Sequence, residues 1–409
     1  MTAYILFLRA YPRQLGFGFI LTFFSSLGQT FLISLYVPHI LAELGISNSL
    51  FGTLYAAATV ASSLLLMVFG GKIDYSPLPG YVYKAIAALG LATLALGMVH
   101  HLLLLPVALF GIRFAGQGLM GHISQTVMGR YFEEDRGKAL SLSALGYPVG
   151  EMLFPILITI IIPLVGWRIS LMLNALILFA FLIPAMQFAP FKEFGRNIRT
   201  GQTEMRQKEA GGKSAQWKIL KTGSFWMLAP LVSLLSFSNT GVFFYQMVLA
   251  ESRGWNAEWY ALIFSAYAVT RFVFALFGGP WVDRFSARRL VPFMVLPMVI
   301  GLVILALVPS PWAGAVFLIL AGITIGGSGP VKASAIAELH GTDSLGGVRA
   351  VYTSFMVLGT AFGPMSFGFL LDTGMGFTPI LLGSAFLLIL AALNSLRARQ
   401  PWGGNGKLN

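Results

Sequence analysis

The stretch GGPWVDRFSARR, residues 278–289, lies between two long apolar runs. Each run is about twenty residues, long enough to cross the roughly 30 Å hydrocarbon core of a bilayer, so the stretch reads as a very short loop between membrane spans. Gly279 stands four residues before Asp283, Arg284 follows the acid, and Arg288 and Arg289 close the stretch. Glycine lets two helices approach closely, and an adjacent Asp and Arg point to a salt-bridged turn. An ordinary positive cytoplasmic loop accounts for the same residues, so the rest of the chain has to decide.

Composition removes most alternatives. Of 409 residues, 56% are hydrophobic and 10% charged, which leaves too little charge to cover a soluble protein of that size. The absence of cysteine excludes disulfides, thiolate metal sites and a cysteine nucleophile. A net charge of +12 would suggest nucleic acid in a soluble protein; here the accumulation of Lys and Arg on the cytoplasmic side of membranes accounts for it, and no nucleic-acid partner is expected. The N-terminal MTAYILFLRAYPRQ is expected to be a cytoplasmic or interfacial lead-in rather than a cleaved signal.

Apolar runs place spans near 15–42, 50–73, 81–100, 103–131, 138–165, 167–188, 224–249, 257–281, 289–308, 312–338, 346–371 and 376–396. Twelve spans put both termini on one side. With the termini in the cytoplasm, 22 of the 27 Lys and Arg fall inside, two (Arg168, Arg253) outside, and three within spans (Arg113, Arg271, Lys332). So large an inside excess fixes the orientation. The long polar segment 191–222, rich in Lys and Arg, divides the chain into a six-span bundle at 1–190, a basic cytoplasmic linker, and a second six-span bundle at 223–409. The linker reads as a solvated connector or as an amphipathic helix on anionic headgroups.

The halves look related. GGKID at 70–74 ends span two where GGPWVD ends span eight, and RYFEEDRGKAL (130–140) links spans four and five as ELHGTDSLGGVRA (338–350) links ten and eleven. Internal repetition of this kind is a transporter signature. With GIRFAGQG (111–118) on span four, these pieces resemble the major facilitator superfamily over the whole chain, although Gln117 follows Arg113 by four residues where the family pattern has three. Span five, RGKALSLSALGYPVGEMLFP (136–155), and Arg271 on span eight resemble the bacterial oxalate and monocarboxylate carriers, while the Gly146, Pro148, Gly150 grouping resembles proton-driven drug exporters. The resemblance implies an all-α membrane protein of two pseudo-symmetric six-helix bundles that rock about a central site. It also implies a gating role for Gly279, Asp283 and Arg284, and more weakly for Asp74.

Charges inside the membrane carry the chemical argument, because each costs about 2.5–3.5 kcal/mol at a span centre and needs a partner, a cavity or a function. Arg113 and Glu151, mid-way along consecutive spans, have the depth to pair, either structurally or as a proton-coupling switch that frees the arginine for an anion. Arg271, mid-way along span eight, suits a carboxylate or phosphate unless it pairs across helices with Glu151. Lys332 either snorkels to the interface or serves the site, beside a Gly326, Gly327, Gly329, Pro330 cluster expected to loosen span ten. Three intramembrane cations against one carboxylate favour an anionic substrate.

Gln29, Asn239, Tyr245 and Tyr267 are candidates to complete the site, each equally explained by a helix–helix hydrogen bond. His122 is a further candidate proton carrier, or a structural histidine. No GxxxxGK[ST], GxSxG or HExxH pattern is present, so neither ATP-driven transport nor hydrolysis is expected, nor any cofactor or metal.

The expected protein is therefore not an enzyme. It is a multi-pass secondary transporter of a small organic anion in a prokaryotic inner membrane, coupled to protons and acting as a monomer. The rivals are a proton-driven exporter of drug-like amphiphiles, favoured by the 34 Phe, and a transporter-like receptor or lipid-handling protein.

Overall fold

A computed structural model describes residues 2–74, 76–132, 135–198, 219–340 and 345–399. Among these, every regular element is helical, as the backbone must be wherever no water can satisfy its amides. Ten helices are long and apolar enough to cross a membrane. They include Asn48–Gly70 (span two), Gly146–Val165 (the main part of span five), Gly223–Ser252 (span seven), Pro311–His340 (span ten) and Leu345–Asp372 (span eleven). Span eight is one helix, Ala257–Phe285, with Arg271 in its middle and its last turn inside the stretch that opened the sequence reading.

Span one departs from the expected continuous helix. Pro12–Ser25 gives way to a short 3-10 turn, Ser26–Gly28, then to an extended Gln29 (φ −84°, ψ 154°), and helix resumes at Thr30–Ile33 and Val37–Leu44. The break faces an irregularity in span four, where Arg113–Met120 is π-helical. That segment absorbs the extra residue between Arg113 and Gln117, since a π-turn inserts one residue into a helix. The two irregular segments touch: a Cβ on Gly28 would lie 2.6 Å from Gln117 N and Ile112 O, and 2.7 Å from Gly116 Cα. Only glycine permits that approach.

The glycines of span ten do the opposite of what the sequence suggests. The helix runs unbroken through Pro330. A Cβ on Gly326 would meet the Arg271 backbone, with Cα at 3.0 Å, and one on Gly322 would lie 2.7 Å from Tyr267 O. These glycines seat span ten against span eight at the level of Arg271. Gly327 and Gly329 have open space beside them.

The two halves of the chain meet chiefly along spans two and eleven and along spans five and eight. At the outer ends the contact is polar and close. Asp372, closing span eleven, accepts hydrogen bonds from Asn48 N (3.1 Å), Asn48 Nδ2 (3.1 Å) and Ser49 N (2.6 Å) at the start of span two. Tyr245 Oη donates to Asn48 O at 2.7 Å, and Gln246 Nε2 to Ser34 Oγ at 2.9 Å. A Cβ on Gly52 would lie 2.6 Å from Pro364 O, so the backbones themselves are packed there. The outer seam is shut. Residues 199–218 of the expected linker lie outside the described residues, as do the side chains of Asp74, Gly279 and Asp283.

Candidate functional site

Beneath the outer seam, at mid-membrane depth, both halves line a cavity of about 390 Å³. Gln29 and Thr30 reach it from the break in span one, Gln117 from the π-helical part of span four and Glu151 from span five. The second half contributes Ser236, Asn239 and Thr240 from span seven, Tyr267 and Arg271 from span eight, Ser328 and Lys332 from span ten and Thr360 from span eleven. The irregular backbone of spans one and four thus sits where non-helical segments are tolerated in a membrane, against protein and a polar cavity.

Three charged side chains line this cavity, and two of them pair. Arg271 Nη1 donates to Glu151 Oε1, which joins span eight to span five and so one half of the chain to the other. The partner of Glu151 is Arg271, not Arg113, which the sequence left open. The Glu151 side chain is 8% exposed, that of Arg271 32%. Glu151 Oε2 is buried without a partner among the described residues. A carboxylate bonded through one oxygen only has its other oxygen free to take a proton.

The third charge is unpaired. Lys332 Nζ has the Met356 thioether at 3.4 Å and no acid partner among the described residues. Lys332 and Met356 also line a second cavity of about 180 Å³, with Arg349, Tyr352 and Thr353. That space lies between spans ten and eleven, so Lys332 and Met356 stand on the wall common to the two cavities.

Several sequence candidates lie elsewhere. Arg113, 2% exposed, is not a cavity residue; it is sealed behind span one. Its Nη1 donates to Gly28 O (3.4 Å) and Thr30 Oγ1 (3.3 Å), and its guanidinium lies 4.9 Å from the centre of the Tyr55 ring. Tyr55 Oη in turn bonds Thr30 Oγ1 at 2.7 Å. The arginine therefore caps a carbonyl orphaned by the break in span one, and holds Thr30 at the cavity wall. Tyr245 belongs to the outer seam. His122 bonds Gly70 O at 3.0 Å, at the end of span two, away from the cavity. Arg284 is exposed, its guanidinium 5.2 Å from the Phe285 ring. Its expected partners, Asp283 and Asp74, have side chains outside the described residues.

Sequence reasoning missed Asp372 and passed over Gln117. An acid at a span end reads as a boundary marker, and nothing local says that it will cap a helix from the other half. Gln117 carried a signal in its anomalous spacing from Arg113.

Ten membrane-long helices among the described residues, a close polar seam between the two halves of the chain and a polar cavity lined from both define a multi-pass membrane protein built to hold a solute between its halves. The model of the Major Facilitator Superfamily matches residues 18–261 and 226–406, and the chain belongs to that superfamily. Its structure is similar to that of a bacterial homolog of the human lysosomal transporter Spinster, inward-facing and unoccupied (13% identity, TM-score 0.71, 94% of this chain and 96% of that one). It is also similar to that of the nucleoside transporter NupG (13% identity, TM-score 0.76, 94% of this chain and 98% of that one). At such identities the likeness concerns the fold. No curated protein matches the chain.

Proposed function

We propose that this chain is a proton-coupled secondary transporter of a small organic anion in a prokaryotic inner membrane, and that the structure is its inward-facing state. The observation that carries the reading is Lys332. It is an intramembrane cation at the wall of the central cavity with no acid beside it, and with Glu151 and Arg271 neutralising each other it leaves that wall with one net positive charge. Burying an unpaired cation costs free energy that a bound carboxylate offsets.

The Glu151–Arg271 pair supplies the coupling. While Glu151 is ionised it occupies Arg271. A proton on Glu151 breaks the pair, and the freed guanidinium becomes a second anchor for the carboxylate, in bidentate geometry. Gln29, Asn239 and Tyr267 are substrate contacts on this reading. Arg113 acts through Thr30 as a positioning residue. The residues 1–190 and 223–409 move as the two bundles, with Asp283, Arg284 and Gly279 as the inner latch.

The exporter reading keeps one observation, the Phe31, Phe243 and Met356 side chains on the cavity wall. A cation exporter, though, would place its cargo beside Lys332.

The test is counterflow of labelled organic anions in proteoliposomes, with and without an imposed proton gradient. Anion exchange that Lys332→Gln abolishes, and that Glu151→Gln retains without its proton dependence, supports the reading. Absence of any anion exchange or competition, alongside export of lipophilic cations, overturns it.

A further inference from the structure

The cavity has more hydrogen-bonding capacity than a simple carboxylate can use. Gln29, Gln117 and Asn239 place three carboxamide residues along its wall, and none makes a side-chain hydrogen bond among the described residues. All three residues are half-buried, and Asn239 Oδ1, just behind the cavity surface, has no partner among the described residues, so a small turn of that side chain brings it to a bound hydroxyl. Two of these amides come from the first half and one from the second. Two sit on irregular backbone that holds them there: Gln29 is the extended residue of the break in span one, and Gln117 lies on the π-helical segment packed against that break; Asn239 lies in the long helix of span seven.

A carboxamide both donates and accepts, so it matches a hydroxyl or a pair of adjacent hydroxyls, which do the same. It is a poor match for a second carboxylate, which only accepts. Leaving such groups buried and unmatched is costly, and a site built this way rejects an analogue that lacks the hydroxyls. Size agrees. A cavity of about 390 Å³ has room for roughly a dozen waters at about 30 Å³ each, far more than a two-carbon dicarboxylate fills.

We infer that the substrate is a polyhydroxylated carboxylate, a sugar acid, with its carboxylate at Lys332 and its hydroxyls on Gln29, Gln117 and Asn239. This rests on the anion reading above and replaces the oxalate-like and lactate-like acids that the sequence resemblance favours.

Calorimetric titration of the purified protein in detergent with gluconate, hexanoate and glucitol separates the parts. Gluconate and hexanoate share six carbons and one charge and differ in hydroxyls; gluconate and glucitol share hydroxyls and differ in charge. The expected result is gluconate binding at least about tenfold tighter than either, one well-made hydrogen bond being worth up to about that factor. Asn239→Leu and Gln117→Met are expected to weaken gluconate about tenfold each and to leave hexanoate unchanged.

Hexanoate binding as tightly as gluconate overturns the sugar-acid inference and leaves the anion reading standing. Glucitol binding as tightly as gluconate overturns the anion reading instead. Failure of all three ligands to bind overturns the inference. The wild-type comparison needs no variant, so a substitution that fails to fold does not protect the proposal.

Discussion

Replacing Asp372 by Ala is expected to shift the protein toward an outward-open state. The carboxylate takes three hydrogen bonds from the first turn of span two, two of them from backbone amides that a helix start otherwise leaves unbonded. A hydrogen bond to a charged group is worth about 1.5–3 kcal/mol when shielded, but Asp372 is exposed, and exposed ion pairs contribute about 0–1 kcal/mol. With a helix-terminus contribution of about 0.3–1 kcal/mol, the outer seam should lose about 0.3–2 kcal/mol, a factor of about 2–30 in the equilibrium. An outward-open fraction of about 1% would rise to about 10%. Because the chain has no cysteine, single cysteines at His101 and Met375, both exposed near the outer ends of opposite halves, accept spin labels without background. Pulsed electron-spin distance measurements should show a new long-distance component in Asp372→Ala and a smaller one in Tyr245→Phe. A distance distribution identical to that of the parent, in a folded Asp372→Ala protein, would refute the assignment of Asp372 as the outer latch.

Gly28→Ala should lower the melting temperature in detergent, since its Cβ meets backbone of span four and overpacking costs about 1–3 kcal/mol; an unchanged melting temperature would mean that the two irregular segments separate freely. Lys332→Met should leave the melting temperature unchanged or raise it, because it removes an intramembrane charge costing about 2.5–3.5 kcal/mol, while anion binding is lost; loss of folding would instead make the lysine structural. At the outer surface, Arg168 grips Glu43 through Nε (2.9 Å) and Nη2 (2.7 Å), and Trp167 Nε1 donates to the same carboxylate (2.7 Å). The Arg168 hydrogen bonds hold Glu43 below the usual carboxylate range, so its contribution is complete above the unfolded-state value near pH 4 and is lost as pH falls through the lower folded value. Glu43→Gln should therefore cost no more than about 1 kcal/mol at neutral pH, and progressively less as pH falls below the usual carboxylate range, as read from paired melting curves.

The spans were legible in the sequence because length and hydropathy alone decide what crosses a bilayer. Irregularities within the spans were not. Span one breaks at Gly28–Gln29 with no proline in the break, because the carbonyl it frees is satisfied by Arg113 from span four, a partner that no window around Gln29 contains. Span ten has the composition of a break and stays helical, because Gly322 and Gly326 are used for close packing on span eight. The cavity residues were half legible. Gln29, Asn239, Tyr267, Arg271 and Lys332 stand out as polar groups in apolar runs and do meet there, but Tyr245, His122 and Arg113 have the same signature and are used for seams and caps. Depth along a span is readable from sequence; the direction in which a side chain leaves its helix, once the helix is kinked, is not.

Depth also fails to choose the partner of Glu151. Arg113 and Arg271 lie at similar levels, and both neighbouring spans approach span five. What decides is that span one, with its break, stands between Arg113 and the cavity and takes the guanidinium for its own carbonyl, so Glu151 is left to the opposite half. The ion pair then belongs to neither half alone. Any rocking of spans five and eight against each other alters the geometry of that pair, and any change in its protonation alters what holds the two spans together. On the proposed reading, proton binding, substrate binding and the motion of the halves converge on one bond, whereas an Arg113–Glu151 pair would have confined the proton to the first half and given it no hold on the second.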